Sequence, residues 1–555
     1  MDKSLFDTRI ISNIISTLDD KNITTFLKDP SRVKASSVAI VSLCTVIAAY
    51  AVSRSRSHRK DQGAPLVPYT WPLIGSSREY RKDPKAFIQK WTSKLGPVFR
   101  VHLFGRIQTV VSAEYVRCLH KDFDFQQGMS KTFDIWLLLD APLEERFSLD
   151  MIRHASIKFN TKMIANTPSV VTQLITAEHE MIGDAQTPSE IANLYPLMEH
   201  LVAIASATNF VGPEFIKDKD LVETYKHLAV DVGTELGDGN LFLEAFPMIS
   251  RLRMWYFGKY GNAVDKHRKR ILHAIKPIID ERLVAAENGK ENPASRQLLC
   301  IARIFHDLMQ DFIQDLIQES KITSSDPEKY MLAARWIMVM IASAIHTTTE
   351  NTTIILYRIL QHPETIDELL QEQNQVLKKH HGDSVNLDGD LTTLFTGEVI
   401  KDLVKLDSVC RETMRLRSFY LDLPHTYIGK SPLTLSCGAV IQPGHDVLLN
   451  MWGNHQDATL QRDVIGDYDQ FKPFRFTGID RPSTKVGDDF LLFGLGSHAC
   501  PGRWFAMHQT KTILSMLLRR YQITPQETIV IPTYNRNHIP TGKVTFQKRQ
   551  EQSIS

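Results

Sequence analysis

Between Pro327 and Pro363 the chain reads MLAARWIMVMIASAIHTTTENTTIILYRIL, apolar on nearly every face except at Arg335 and at His346-Thr347-Thr348-Thr349-Glu350. A helix that is apolar all round belongs in a large core, and the break at Arg335 leaves a run too short to span a bilayer. The pattern predicts a long buried helix over 329–361. The same periodicity predicts helices over 262–287, 397–418 and 505–520, the last with Phe505, Ile513, Leu514, Leu517 and Leu518 among polar positions. Alternation predicts a hairpin, with strands over 98–103 and 108–111 and a turn at Phe104-Gly105-Arg106. A second strand pair is expected over 433–436 and 440–442, with Gly438 in its turn. From residue 76 to 555 nothing of low complexity divides the chain, so these elements predict one mainly α body with small β-sheets.

The N-terminal part reads differently. Residues 35–53 form a run of 19 without a charge, close to the length a membrane-crossing helix needs. A polar segment, 1–34, precedes it, which sets it apart from a cleavable signal peptide. Within that segment Phe6, Ile10, Ile11, Ile14, Ile15 and Leu18 recur at helical spacing, consistent with an amphipathic helix on a membrane surface. Arg54, Arg56, Arg59 and Lys60 cluster more tightly after the apolar run than Lys28, Arg32 and Lys34 do before it. That asymmetry predicts a single pass with the body on the cytosolic side. Residues 54–75, basic and then carrying Pro65, Pro68 and Pro72, are expected to form a stiff linker.

Composition narrows the classes. A net charge of +2 over 555 residues, with no long basic block, argues against nucleic acid as a partner. Six scattered cysteines are not a disulfide framework and suit a reducing compartment.

The chemistry concentrates in Phe493-Gly494-Leu495-Gly496-Ser497-His498-Ala499-Cys500-Pro501-Gly502-Arg503-Trp504. One cysteine lies in a glycine-rich loop directly before a predicted helix. Free backbone N–H groups and a helix N-terminus keep a thiolate ionised and ready to bind a metal. Gly494, Gly496 and Gly502 allow a flat cofactor to approach closely. A zinc site would need a second Cys/His pair at ligand spacing, and the chain has none.

This stretch resembles the heme-binding signature of the cytochrome P-450 superfamily, Phe-x-x-Gly-x-Arg/His-x-Cys-x-Gly, matched from Phe493 to Gly502. The resemblance implies the cytochrome P-450 fold behind a single transmembrane helix, and heme b with Cys500 as the axial thiolate of its iron. It also places Phe493 near the sulfur, His498 toward a heme propionate, and Gly494, Gly502 and Arg503 around the cofactor. His154 and Lys158 fall where the family usually has Trp/His-x-x-x-Arg and become further propionate candidates. On the central helix the family carries an acid followed by threonine, which helps deliver protons on the oxygen-binding side. Here Thr347 matches and His346 replaces the acid, with Glu350 one turn on as the substitute. The His-Thr-Thr variant resembles fungal members near ent-kaurene oxidases.

Glu412-Thr413-Met414-Arg415 is an E-x-x-R whose spacing puts both charges on one helical face. It resembles the family motif that, with an arginine before the heme loop, here Arg475, holds that loop. The apolar residues of 123–143, with Leu421 and Leu423, resemble the roof of a pocket for a hydrophobic substrate.

The implied activity is a membrane-anchored monooxygenase of the endoplasmic reticulum that inserts one atom of O₂ into an apolar small molecule, with a terpenoid or a related secondary metabolite, such as a polyketide or indole alkaloid, as the expected class. Electrons would come from NADPH through a separate NADPH–cytochrome P-450 reductase, with cytochrome b5 as an auxiliary donor. Arg503, Lys511, Arg519 and Arg520 are candidate cations for that docking. The alternatives are an O₂-independent heme-thiolate isomerase or dehydratase and a non-enzymatic heme-binding membrane protein.

Overall fold

The computed structural model describes residues 63–549 apart from 72, 132–133, 141–148, 237–242, 244–245, 292–321, 418, 462–465 and 533–539. The expected surface helix within 1–34, the transmembrane segment 35–53 and the basic part of the linker lie outside the described residues.

The hairpin forms with β1 (Val98–Leu103) and β2 (Arg106–Val111) in antiparallel register, Leu103 opposite Arg106. Its two loop residues, Phe104 and Gly105, both have positive φ, the geometry whose twist matches flanking strands. The second strand begins two residues earlier than alternation suggested, because the Arg106 charge is paired with Asp446 at 2.7 Å. β3 (Phe123–Asp124) and β4 (Ser189–Ile191) follow, then β5 (Leu421–Tyr427), β6 (Leu433–Thr434), β7 (Val440–Ile441), β8 (Asp446–Asn450), β9 (Tyr521–Pro525) and β10 (Val544–Lys548). The main sheet has the order β1-β2-β8-β5-β3, with β2 and β8 parallel. The expected pair around Gly438 is present but only two residues long on each side.

The linker expectation needs correction. Arg100 donates its backbone N–H to the Pro65 carbonyl at 2.7 Å and accepts from Val67 N–H at 2.9 Å, while Val67 is fully buried. Proline holds this segment extended, which suits an outer position beside an edge strand. The body therefore begins by Ala64, and residues 64–75 belong to it.

The helices that position the site are α1 (Leu149–Ile182), α2 (Leu194–Phe210), α3 (Lys219–Leu236), α4 (Asn262–Glu291), α5 (Lys329–Gln361), α6 (Val404–Arg415) and α7 (Arg503–Arg520). α5 has the predicted bounds and runs through the core, touching α2, α3, α4, α6 and α7. Among the described residues it is the one helix long and apolar enough to cross a membrane, yet Trp336, Ile337, Met338, Ile341 and Ile355 are buried within the body.

The helix expected over 397–418 is two helices. Gly397–Asp402 stops at Leu403, whose ψ of 82° is not helical, and α6 restarts at once. The Glu372 carboxylate makes the break possible by accepting the backbone N–H groups of Lys405 and Leu406, donors that a new helix start leaves without partners.

Candidate active site

The loop that carries Cys500 folds back on itself. The Cys500 N–H donates to the Phe493 carbonyl at 2.7 Å, and the Gly494 N–H donates to Leu491 at 2.8 Å. Gly494 turns with φ +75°, a conformation that costs other residues strain. The Cys500 sulfur receives the backbone N–H groups of Gly502 and Arg503 at the start of α7. Burial raises its pKa, and these two donors and the Arg503 charge oppose the rise. A cation bound at the sulfur reverses that balance and deprotonates the thiol. The Arg503 guanidinium donates to the carbonyls of Cys500 at 2.7 Å and Thr484 at 3.0 Å and stacks on Trp504. Arg503 thus braces the backbone around the thiol. Gly502 differs from Gly494: its φ is −87°, and a Cβ added there would meet nothing within 4 Å.

Beneath the loop lies a buried charge cluster. Glu412 accepts from Arg415 Nε at 2.7 Å and Nη2 at 2.9 Å, and from Arg475 Nε at 2.8 Å. The side chains of Glu412, Arg415 and Arg475 are 0%, 1% and 2% exposed, far from the solvated pair that a surface E-x-x-R would make. Arg415 Nη1 goes on to the carbonyls of His455 and Tyr468. Arg475 donates to Gly466, Asp467 and Gln470.

Two members of this brace carry no signal in the sequence. His455 joins Nδ1 to the Arg415 carbonyl at 3.0 Å and accepts the Leu491 N–H on Nε2 at 2.9 Å. Those roles fix the neutral tautomer with its proton on Nδ1, and burial pushes the His455 pKa down to about 3. Arg411 lies between the rings of Phe476 and Phe490 and donates to Pro482, Lys485 and Asp489. Both tie α6 to the chain just before Phe493. Only the fold brings these sequence-distant carbonyls to them.

On α5 the central polar residues open a face in an otherwise buried helix: Ser343 and Thr347 are exposed while Ile341, Ile345, Thr348 and Thr349 are buried. Thr347 Oγ1 donates to the Ser343 carbonyl at 3.0 Å, the one-turn back-bond expected of such a threonine. His346 Nε2 lies 3.5 Å from Glu350 Oε1, and Glu350 Oε2 pairs with Arg417. Asn351 accepts from Arg417 at 2.8 Å and donates to the Thr347 carbonyl at 2.8 Å. His346 Nδ1 lies 2.9 Å from the Tyr195 hydroxyl on α2. Tyr195 and Arg417 are further residues that the motifs did not point to. α5 and α7 meet at Thr352 and Thr510, whose hydroxyls are 2.9 Å apart.

The remaining expectations divide. His498 is half-buried, its ring 6.0 Å from that of His425, and Phe493 stands edge-on to Phe490 at 6.3 Å. His154 and Lys158 lie in α1, but their side chains fall outside the described residues. In the predicted roof, Phe123 is buried against Tyr427. Phe125, Met129, Trp136 and Leu137 are half-buried. Leu421 packs in the core beside Tyr80 and Leu448, so it is corrected from lining residue to core. Of the candidate docking cations, Lys511 is 6% exposed. Arg519 donates to Leu387 and Asn374, and Arg520 pairs with Glu178. Burial removes Lys511 from a docking face, while Arg519 and Arg520 stay partly exposed.

A heme suits these residues. Cys500 offers one sulfur with backbone donors aimed at it, and no cluster of three or more His, Cys, Asp or Glu able to hold a metal occurs among the described residues. A metal at Cys500 would therefore have to bring its other ligands with it, as heme iron does. The open face of α5 leaves polar side chains uncovered by the rest of the body, and no neighbour crowds a Cβ placed on Gly502.

Comparison with known proteins agrees. The family model described as cytochrome P-450 matches residues 65–548. Cytochrome P-450 monooxygenase 71 of Postia placenta is 23% identical over 504 residues, covering 88% of this chain and 92% of that protein. Cytochrome P-450 monooxygenase prhD of Penicillium brasilianum is 25% identical over 472 residues, 82% of this chain and 83% of its own length. Cytochrome P-450 monooxygenase idtP of Claviceps paspali is 27% identical over 341 residues, 60% of each chain.

Proposed function

The chain belongs to the cytochrome P-450 family, an oxygenase family whose heme iron is held by a cysteine thiolate, and on that premise we propose that Cys500 is the ligand and that the substrate is an apolar small molecule of the terpenoid class. The observation that carries the assignment is the pair of backbone N–H groups on the Cys500 sulfur. The other described cysteines lack that setting: Cys118 and Cys410 are buried thiols whose pKa burial pushes up, and Cys437 is exposed.

When bound, the heme supplies the activation of O₂ and the transfer of one oxygen atom. Cys500, braced by Arg503, would hold the iron, and His498 would serve a propionate, a role for which His154 and Lys158 are further candidates. Glu412, Arg415 and Arg475 keep the loop in place. Thr347, on the open face of α5, would hold water in position for proton delivery. His346 and Glu350, with Nε2 of the imidazole 3.5 Å from Oε1 of the carboxylate, would supply the polar groups of that proton path. Half-buried apolar residues of the 125–137 stretch suit a hydrophobic substrate.

The electron donor is a separate NADPH–cytochrome P-450 reductase, assisted by cytochrome b5. The protein is anchored in the endoplasmic reticulum membrane through 35–53, with the body in the cytosol. The helix Pro247–Tyr260 supports contact with lipid, since Met248, Leu252 and Tyr260 are 84%, 63% and 58% exposed.

Expression with a reductase in microsomes, fed pooled terpenoid scaffolds and read by mass spectrometry, tests this reading. Products gaining oxygen, absent under nitrogen, are expected. Cys500→Ser should lose the thiolate-type spectrum of the ferrous–CO complex; its survival would overturn the assignment of the ligand.

A further inference from the structure

The polar chain that leaves α5 through His346 has an outer member on a different helix. We infer that Tyr195 is a positioning residue that fixes His346 in the tautomer with its proton on Nε2 and aims that N–H at Glu350. The inference rests on the monooxygenase reading above and names a residue that neither the motifs nor that reading requires.

The base of Tyr195 is held firmly. Asn193 accepts the Tyr195 backbone N–H at 2.9 Å, and the neighbouring Leu194 N–H donates to the Tyr357 hydroxyl at 3.0 Å. Tyr357 belongs to α5, the helix that carries His346, and its own hydroxyl donates to the Gly542 carbonyl. The two rings approach edge-on, with centroids 6.4 Å apart at 65°, so the Tyr195–His346 contact is a hydrogen bond and not a stack.

Its direction follows from the surroundings. Burial raises the Tyr195 pKa, and the carboxylates of Glu199 and Glu350 add to the rise. The phenol stays protonated, and because the carboxylate oxygen beside His346 Nε2 accepts, Nδ1, at 2.9 Å, is left to accept the Tyr195 O–H. The ring proton is then on Nε2, which faces Glu350 Oε1 at 3.5 Å. With its other oxygen paired to Arg417, which is in turn tied to Asn351, Glu350 Oε1 is left to accept that N–H as a hydrogen bond. An imidazole whose second nitrogen is fixed in this way has one defined donor, an arrangement by which a partner of histidine sets its proton chemistry.

Without the hydroxyl the ring can turn or exchange tautomers, and Nδ1 becomes free to react.

The test is carbethoxylation of His346 in the heme-loaded protein with diethyl pyrocarbonate, followed by peptide mass spectrometry, with peroxide release measured in parallel. In the natural sequence Nδ1 is covered, so modification should be slow. Tyr195→Phe should raise its rate about fivefold, the scale of one lost hydrogen bond. It should also raise the share of electrons lost to peroxide by roughly two- to threefold, with the heme content unchanged. An unchanged carbethoxylation rate in Tyr195→Phe overturns the inference. Should that variant fail to load heme, the natural protein decides alone, because rapid modification of His346 also overturns it. Thr347→Ala, run alongside, separates the two claims. Full coupling there defeats the proton-delivery reading, whereas a loss of coupling there with Tyr195→Phe silent defeats only the role of Tyr195.

Discussion

Beneath Cys500, Glu412, Arg415 and Arg475 are buried side chains whose hydrogen bonds run to one another and to carbonyls of the surrounding loops. At the centre of α5, Thr347 is exposed, His346 is 40% exposed, and the imidazole meets Glu350 only at 3.5 Å. The first region is buried and bonded to its surroundings, and its motif has the family form. The second departs from that form and keeps its polar atoms within reach of water. A ligand loop needs a fixed sulfur, while proton delivery needs groups that can exchange partners. The contrast predicts opposite responses to mutation: loss of the cofactor from one side, loss of coupling from the other.

The largest effect belongs to Glu412→Ala. It leaves two buried guanidinium groups without their shared carboxylate, a class of change that costs about 3–5 kcal/mol. Purified protein should hold little or no heme, measured as heme per polypeptide, and should melt at a markedly lower temperature. Normal heme content would show that the cluster is dispensable and erase the contrast.

Acid should attack the same side first. Burial holds His455 neutral, its pKa lowered from 6.5 to about 3, and His425 likewise, lowered to about 4. In the unfolded chain both titrate at the ordinary value, so between those limits the unfolded chain binds protons that the folded chain refuses. Stability is complete above pH 6.5 and falls as pH drops toward the folded values. The thermal midpoint should decline steadily from pH 7 to pH 5, and His455→Gln should make that decline shallower. An identical slope in the variant would exclude His455 from the acid response.

Thr347→Ala sharpens the comparison from the other side. An exposed threonine whose hydroxyl bonds only its own helix contributes within about 0.5 kcal/mol to stability. Heme content, spectrum and NADPH consumption should stay near normal while product falls and hydrogen peroxide rises. Full product yield without extra peroxide would remove Thr347 from the proton path. Glu350→Gln should uncouple too, and His346→Ala at least as strongly if the imidazole is the donor.

The same contrast governs what could be read in the sequence. α5 was legible to its ends because its apolar pattern is long and continuous. The loop around Cys500 was legible because its motif is local: cysteine, turn glycine and helix start all fall within one short stretch. The Glu412–Arg415 pair was visible by spacing, but its burial was not, since a helical ion pair reads the same on a surface and in a core. His455 and Arg411 were invisible because their partners are carbonyls far away in sequence. Tyr195 was hidden for a related reason, as nothing on α2 signals a histidine on α5. Residues 64–75 were misread because proline marks an extended chain without saying whether a sheet lies beside it. The helix over 397–418 was drawn too long because the break at Leu403 depends on Glu372, from another helix.

The smallest effect separates two glycines of one loop. Gly494 sits at φ +75°, so Gly494→Ala should destabilise the loop by about 1–2 kcal/mol for conformational reasons alone. Gly502 has φ −87° and open space where a Cβ would stand. Neither backbone strain nor any neighbour in the chain requires a glycine there. Gly502→Ala should leave the stability of the heme-free protein unchanged, or raise it by the ~0.4–1 kcal/mol that a strain-free Gly→Ala change contributes. If the space is kept for the cofactor, that variant should still lose heme faster than the natural protein when challenged with an excess of apomyoglobin. If it is kept for the electron donor, heme retention stays normal and reduction by the reductase slows. A variant unchanged in stability, heme transfer and reduction would show that the space serves neither, and that the flat group is accommodated by the open face of α5 alone.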